Sequence, residues 1–160
     1  MKVLALDMAI RTGWAVGDER ARDGKTFESG YETFDLRRGD SAGWRYLAFT
    51  RWLEAIIRPG ELGLVVYEQP FAMKSGQATE IAMGFATRVQ QRCAEVTLEH
   101  TAVVGSLLKK WVTGKGNAGK PEMVEAVARR WRRVDDHNEA DAVALLQYAL
   151  AELVPAAARP

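Results

Sequence analysis

The sequence predicts an α/β protein in three layers, a mixed five-stranded sheet held between helices. Three observations carry that expectation. Three strand-like stretches follow one another before any helical period appears, which suggests an antiparallel meander. Two further apolar strands then alternate with helical segments. The last third of the chain is helical in pattern.

Taken in order, residues 2–7 and 13–17 read as strands joined by a tight connection, with Gly13 supplying backbone freedom. Residues 26–34 form a third, weaker strand with aromatics. Ser41 is placed to cap a helix whose apolar positions Trp44, Leu47, Ala48, Trp52 and Ile56 recur at helical spacing, and Arg58-Pro59-Gly60 stops it. Residues 62–68 are a buried strand, broken by Gln69-Pro70 because Pro70 cannot continue a central ladder. A long helix over 76–96 carries Ile81, Phe85, Val89 and Cys93 at i+4 spacing, a stripe that reads as core. Residues 97–104 form a short strand, 107–111 a brief helix and 113–119 a Gly-rich loop. Pro121 suits the first residue of another helix, with Val124, Val127, Trp131 and Val134 on one face. Asp136 with Glu139 makes a capping-box-like start to the last helix, which runs to about Val154. One domain is expected over 1–154, with a fraying Pro/Ala tail at 155–160.

Composition narrows the function classes. The chain has 160 residues, enough for one core, and is 48% hydrophobic and 27% charged. Its formal charge of +1 conceals an uneven distribution. Residues 101–134 hold eight Lys or Arg against Glu122 and Glu125, so a near-neutral total does not argue against a nucleic-acid partner. Cys93 is the only cysteine, which excludes an intrachain disulfide and a cysteine zinc cluster. No apolar run approaches the roughly 18 residues of a membrane span, and the N-terminal run is interrupted by Asp7 too soon for a signal peptide. A soluble, cytoplasmic protein is expected.

Two apolar strands end on carboxylates, Asp7 and Glu68. A charge at the edge of a core is costly, and that cost is tolerated when a cation meets it. If the two strands are neighbours, their carboxylates converge at one sheet edge. Asp141 lies one turn into the last helix, and His137 and Asn138 precede it by four and three residues on the same face. Three carboxylates with an imidazole or amide form a hard, oxygen-rich site that suits Mg²⁺ or Mn²⁺ rather than zinc. Two such ions about 4 Å apart can clamp the attacking and leaving oxygens of phosphodiester hydrolysis.

The motifs around these residues resemble the RuvC-type Holliday junction resolvases of the ribonuclease H-like superfamily, over nearly the whole chain. They are Leu6-Asp7 with Thr12-Gly13-Trp14-Ala15, Tyr67-Glu68-Gln69-Pro70-Phe71, Lys109 through Val112 and Gly114 to Lys120, and Asn138 to Ala144. The Lys–x–x–Val–x–Gly–x–Gly–x–Ala–x–Lys spacing is the most specific of the four. The resemblance implies a ribonuclease H-like fold and a metal-dependent endonuclease that resolves four-way DNA junctions as a homodimer, with two Mg²⁺ ions per site and Mn²⁺ as a substitute. Asp7, Glu68 and Asp141 would be metal ligands. Lys109 and Lys120 would contact DNA near the scissile phosphate, Lys120 with a part in catalysis, and Phe71 would stack at the junction's centre. Lys115 joins them as a loop lysine suited to a DNA phosphate. The chain departs from the family pattern at Asn138, where bacterial members place Asp or His. Either Asn138 or His137 would then supply the fourth ligand.

Other readings remain open. Gly114 to Lys120 has P-loop spacing, but Pro121 stands where Ser or Thr should hold Mg²⁺ and no strong strand leads into it, so no nucleotide cofactor is expected. An actin-like nucleotide-binding fold also ends its first strand in Asp, but its Asp-x-Gly-Thr start is absent. A junction-binding protein with weakened catalysis, or a nuclease for other branched DNA or RNA, fits the same motifs. The Arg129-Arg130-Trp131-Arg132-Arg133 cluster reads as a solvated helix end with Trp131 in the core, or as a DNA contact.

Overall fold

A computed structural model describes residues 1–71 and 75–155. Strands β1 (Val3–Asp7), β2 (Arg11–Gly17) and β3 (Phe27–Thr33) come first, with a 3₁₀ turn at Glu19–Asp23 between the last two. Helix α1 (Ala42–Ile56), strand β4 (Leu64–Glu68), helix α2 (Gly76–Glu95) and strand β5 (His100–Val103) follow. Helices α3 (Gly105–Thr113), α4 (Lys120–Arg130) and α5 (His137–Tyr148) complete the chain, and a π-helical turn at Ala149–Leu153 extends α5. The sheet order is β3-β2-β1-β4-β5, with β1–β2 and β2–β3 antiparallel and β1–β4 and β4–β5 parallel. The five strands and the mixed sheet match the expectation from sequence. The tail expected at 155–160 falls, beyond Pro155, outside the described residues.

Strand alternation sorts the core into two faces. Val3, Ala5, Ala15, Val66 and Val103 pack against Leu108, Met123, Val127, Val143 and Leu146 of the three C-terminal helices. Leu4, Leu6, Val65 and Tyr67 face Phe49 and Leu53 of α1 and Ile81, Phe85 and Val89 of α2. Phe49 and Phe85 stack with centroids 3.8 Å apart, and Phe34 meets both edge-on. The α2 stripe is therefore core, and burial pushes the Cys93 thiol up to about 11, leaving it unreactive at neutral pH.

Several local expectations are corrected. Helix α1 turns Arg45, Phe49 and Leu53 inward, leaving Trp44 and Leu47 exposed, because the Phe49 face is the one that meets Phe34 and Phe85. Ser41 holds the N-cap position of α1 without a side-chain cap bond. Helix α4 begins at Lys120 and ends at Arg130, so Trp131 and Val134 join the core from beyond it. Asp136 caps α5 by accepting from the N–H groups of Asn138 and Glu139 at 3.0 Å. Glu139 does not close a capping box; its carboxylate accepts from Ser29 Oγ at 2.6 Å and lies 3.9 Å from Arg132. Gly13 has no positive φ. Its role is space, since a Cβ there would lie 1.9 Å from the Asn138 carbonyl oxygen.

Candidate active site

The parity that sorts the core also aims the carboxylates. Asp7 shares the sheet face of Val3 and Ala5, and Glu68 that of Leu64 and Val66, which is the face α5 covers. Leu6 pairs with Tyr67 in the parallel β1–β4 ladder, so Asp7 and Glu68 stand side by side one step further on. Helix α5 crosses β1 and β2 and brings Asp141 over them. Burial, then Asp141 and Glu68, raise the Asp7 carboxyl well above the usual range, with Lys120 opposing. Burial and then Glu68 push Asp141 up to about 7, opposed by Lys109 and Lys120. Burial also raises Glu68, against the pull of Lys109.

The three carboxylates thus share one electrostatic neighbourhood, with Lys109 and Lys120 at its margins. Asp141 Oδ1 is buried and has no hydrogen-bond partner among the described residues. A buried carboxylate oxygen without a donor is a costly feature that a cation would satisfy. Among the described residues, no three Asp, Glu, His or Cys side chains are grouped tightly enough to form a ready-made metal cage. The donor set, all carboxylate oxygen at its heart, fits a hard divalent cation.

Of the two candidates for a fourth ligand, the ring of His137 is engaged elsewhere. Its Nε2 lies 2.7 Å from Lys120 Nζ, and burial and then Lys120 lower its proton affinity. Asn138 sits at the start of α5, where its carbonyl abuts Gly13. Lys109 borders a cleft of about 440 Å³ that it shares with Glu68, Gln69, Phe71, Ser106 and Gly116. The Phe71 ring is 59% exposed at its mouth. Lys115 stands apart from that cleft, 4.0 Å from Glu122.

The Gly-rich loop follows helix α3 rather than a strand, so it lacks the strand–loop–helix context of a nucleotide-binding P-loop. Of the basic cluster, Arg130 is committed to the Trp111 and Trp131 rings and to the Trp111 and Val112 carbonyls. Arg132 lies over Phe27 and donates to the Phe27 carbonyl and Ser29. Arg129 and Arg133 stay exposed.

Three further residues support the site, and the sequence assigns none of them a role there. Thr12, buried, donates to the Ala9 carbonyl at 2.7 Å and closes the turn after Asp7. A Cβ on Gly105 would lie 2.3 Å from Glu68 Oε1, so only glycine lets that carboxylate rest against the start of α3. Arg11 donates to the Asp136 carboxylate at 3.0 Å, tying β2 to the cap of α5. The Thr12–Gly13 pair was visible as a motif; Gly105 and Arg11 carry no local signal.

Against solved structures, the chain matches T. thermophilus RuvC in complex with a Holliday junction substrate, with a TM-score of 0.74, 18% identity and 94% of each chain covered. A second structure of Thermus thermophilus RuvC matches with a TM-score of 0.70, again at 18% identity and 94% of each chain. The fold is that of RuvC. In this chain it is a ribonuclease H-like α/β arrangement, a mixed five-stranded sheet with its flanking helices. No family model matches the chain, and no curated protein matches it by sequence. No helix among the described residues is long and apolar enough to cross a membrane.

Proposed function

We propose that the chain is a divalent-metal-dependent endonuclease that resolves four-way DNA junctions. The observation that carries this reading is the carboxylate trio Asp7, Glu68 and Asp141, with its unpartnered Asp141 oxygen, on a fold shared with a RuvC solved on a Holliday junction. Asp7, Glu68 and Asp141 would hold Mg²⁺ or Mn²⁺ ions, with the Asn138 amide oxygen as a weaker fourth donor. Such a pair supplies an activated water and charge stabilisation of the leaving oxygen. No protein nucleophile is required, and hydrolysis leaves a 5′-phosphate and a 3′-hydroxyl.

The residues of the chain do the holding and the aiming. Lys109 and Lys120 flank the trio and grip the backbone near the scissile phosphate, while Lys115 adds a further phosphate contact. Phe71, solvent-exposed next to Glu68, stacks on a base at the branch point. A homodimer would set two such sites on symmetry-related strands, and exposed Met83, Trp44 and Leu47 offer apolar surface for it.

The test is cleavage of labelled four-way, three-way, flap and linear substrates in Mg²⁺ and Mn²⁺, with Asp7→Asn as control. Paired nicks on the four-way substrate, and an Asp7→Asn variant that binds without cutting, are expected; wild-type cutting by Asp7→Asn would refute the site. A second reading, a junction-binding protein with weak catalysis, draws on Asn138 standing where a carboxylate would bind metal more strongly. Tight junction binding with no cleavage in either metal selects it. Preferential cutting of flaps or RNA would select a nuclease for other branched substrates.

A further inference from the structure

We propose that His137 is the positioning residue for Lys120, holding the lysine ammonium beside the carboxylate trio, and is not itself a metal ligand. The inference rests on the nuclease reading of the trio and assigns a role that reading leaves open. Lys120 Nζ and His137 Nε2 are 2.7 Å apart. An ammonium has three donors and no acceptor, so the imidazole must accept through Nε2 and carry its own proton on Nδ1. The Nε2 lone pair is then already used.

The anchor is set on a rigid element. His137 is the first residue of α5, whose first turn is fixed by the Asp136 cap, by Arg11 on that cap and by the contact of Gly13 with the Asn138 carbonyl. Lys120 is an exposed residue at the first position of α4, with a long side chain that would otherwise sample many rotamers. Held by His137, its charge is felt at Asp7 and Asp141, whereas that of Lys109 is felt at Glu68 and Asp141. Lys109 lines a cleft with Glu68, whereas Lys120 lines a separate one with Asp136 and His137. One donor of Lys120 is satisfied by the ring, and two remain to meet a phosphate over the carboxylates.

The full-length protein and four variants test this: His137→Ala, His137→Gln, Lys120→Ala and the His137→Ala/Lys120→Ala double. Mn²⁺ binding, followed by electron paramagnetic resonance without DNA, should change less than about twofold in His137→Ala but collapse in Asp141→Asn. Single-turnover cleavage should slow by up to about 100-fold in His137→Ala, and no further in the double variant than in Lys120→Ala. His137→Gln, which keeps an acceptor, should recover much of the rate. Long-range ¹H–¹⁵N spectra of the imidazole should show the Nδ1–H tautomer, and Lys120→Ala should change it. Loss of Mn²⁺ affinity in His137→Ala comparable to Asp141→Asn, multiplicative loss in the double variant, or a Gln variant no better than Ala would each overturn the proposal. If the wild type cuts no branched substrate, the nuclease reading fails, while the Mn²⁺ and imidazole measurements still decide the role of His137.

Discussion

Arg11 and Asp136 are 125 residues apart in sequence, and the guanidinium of one meets the carboxylate of the other at 3.0 Å. Asp136 simultaneously caps α5, so this pair fastens the turn after Asp7 to the helix that carries Asp141. Arg11 also lies 4.8 Å above the Tyr31 ring, which aligns it along β3.

Asp136→Ala should cost about 0.5–2 kcal/mol of stability through loss of the cap alone. Arg11→Ala should cost less, since the cap bonds survive. Hydrogen exchange at Asn138 and Glu139 should nevertheless accelerate in both variants, and equal protection in wild type and Arg11→Ala would show that the pair does not stiffen the helix start.

Asp141 holds protons more tightly folded than unfolded, so the metal-free chain binds more protons native than denatured between about pH 4 and about 7. Stability contributed by the protonated group is present below the unfolded value and lost as pH rises through the folded one. The metal-free protein should therefore lose thermal stability over that window. Asp141→Asn should flatten the pH profile and raise Tm at pH 8, by about 2–4 °C for each kcal/mol relieved. Saturating Mg²⁺ should stabilise wild type at pH 8 and leave Asp141→Asn nearly unmoved.

Two glycine-to-alanine changes should have opposite signs. At Gly13 the new methyl would meet the Asn138 backbone at 1.9 Å, forcing α5 away from β2, so Gly13→Ala should destabilise severely. At Gly43, in the first turn of α1, its nearest neighbour is Ser41 Oγ at 3.6 Å, and Gly43→Ala should stabilise by about 0.5–1 kcal/mol. Denaturant melts of the pair measure both.

Phe71 is 59% exposed, so Phe71→Ala should leave folding stability within about 0.5 kcal/mol of wild type. Junction opening, followed with 2-aminopurine at the branch point and the Asp7→Asn background, should weaken. An unchanged fluorescence signal would remove Phe71 from the DNA contact.

The sheet, the strand-end carboxylates and the α2 stripe were legible because each is written locally: an apolar run, a terminal charge, a period. The inward face of α1 was not. Trp44, Leu47, Ala48 and Trp52 keep a helical period as well as Arg45, Phe49 and Leu53 do, and an arginine conceals the true face. What decides is Phe85, thirty-six residues after Phe49 and stacked on it. The close approaches at Gly13 and Gly105 and the Lys120–His137 bond likewise join separate elements, so nothing in the local pattern announces them. The Glu139 carboxylate shows the converse: its spacing from Asp136 fits a capping box, yet Ser29 and Arg132 outcompete the backbone for it.

The trio draws on residues 7, 68 and 141, and α5 must dock across β1 and β2 before the third member arrives. A nascent chain still short of that helix has two of the acids and nothing to close the site. Whatever chemistry the trio performs therefore waits until α5 has been made and has docked. For a protein that would cut DNA, assembly order is itself a safeguard.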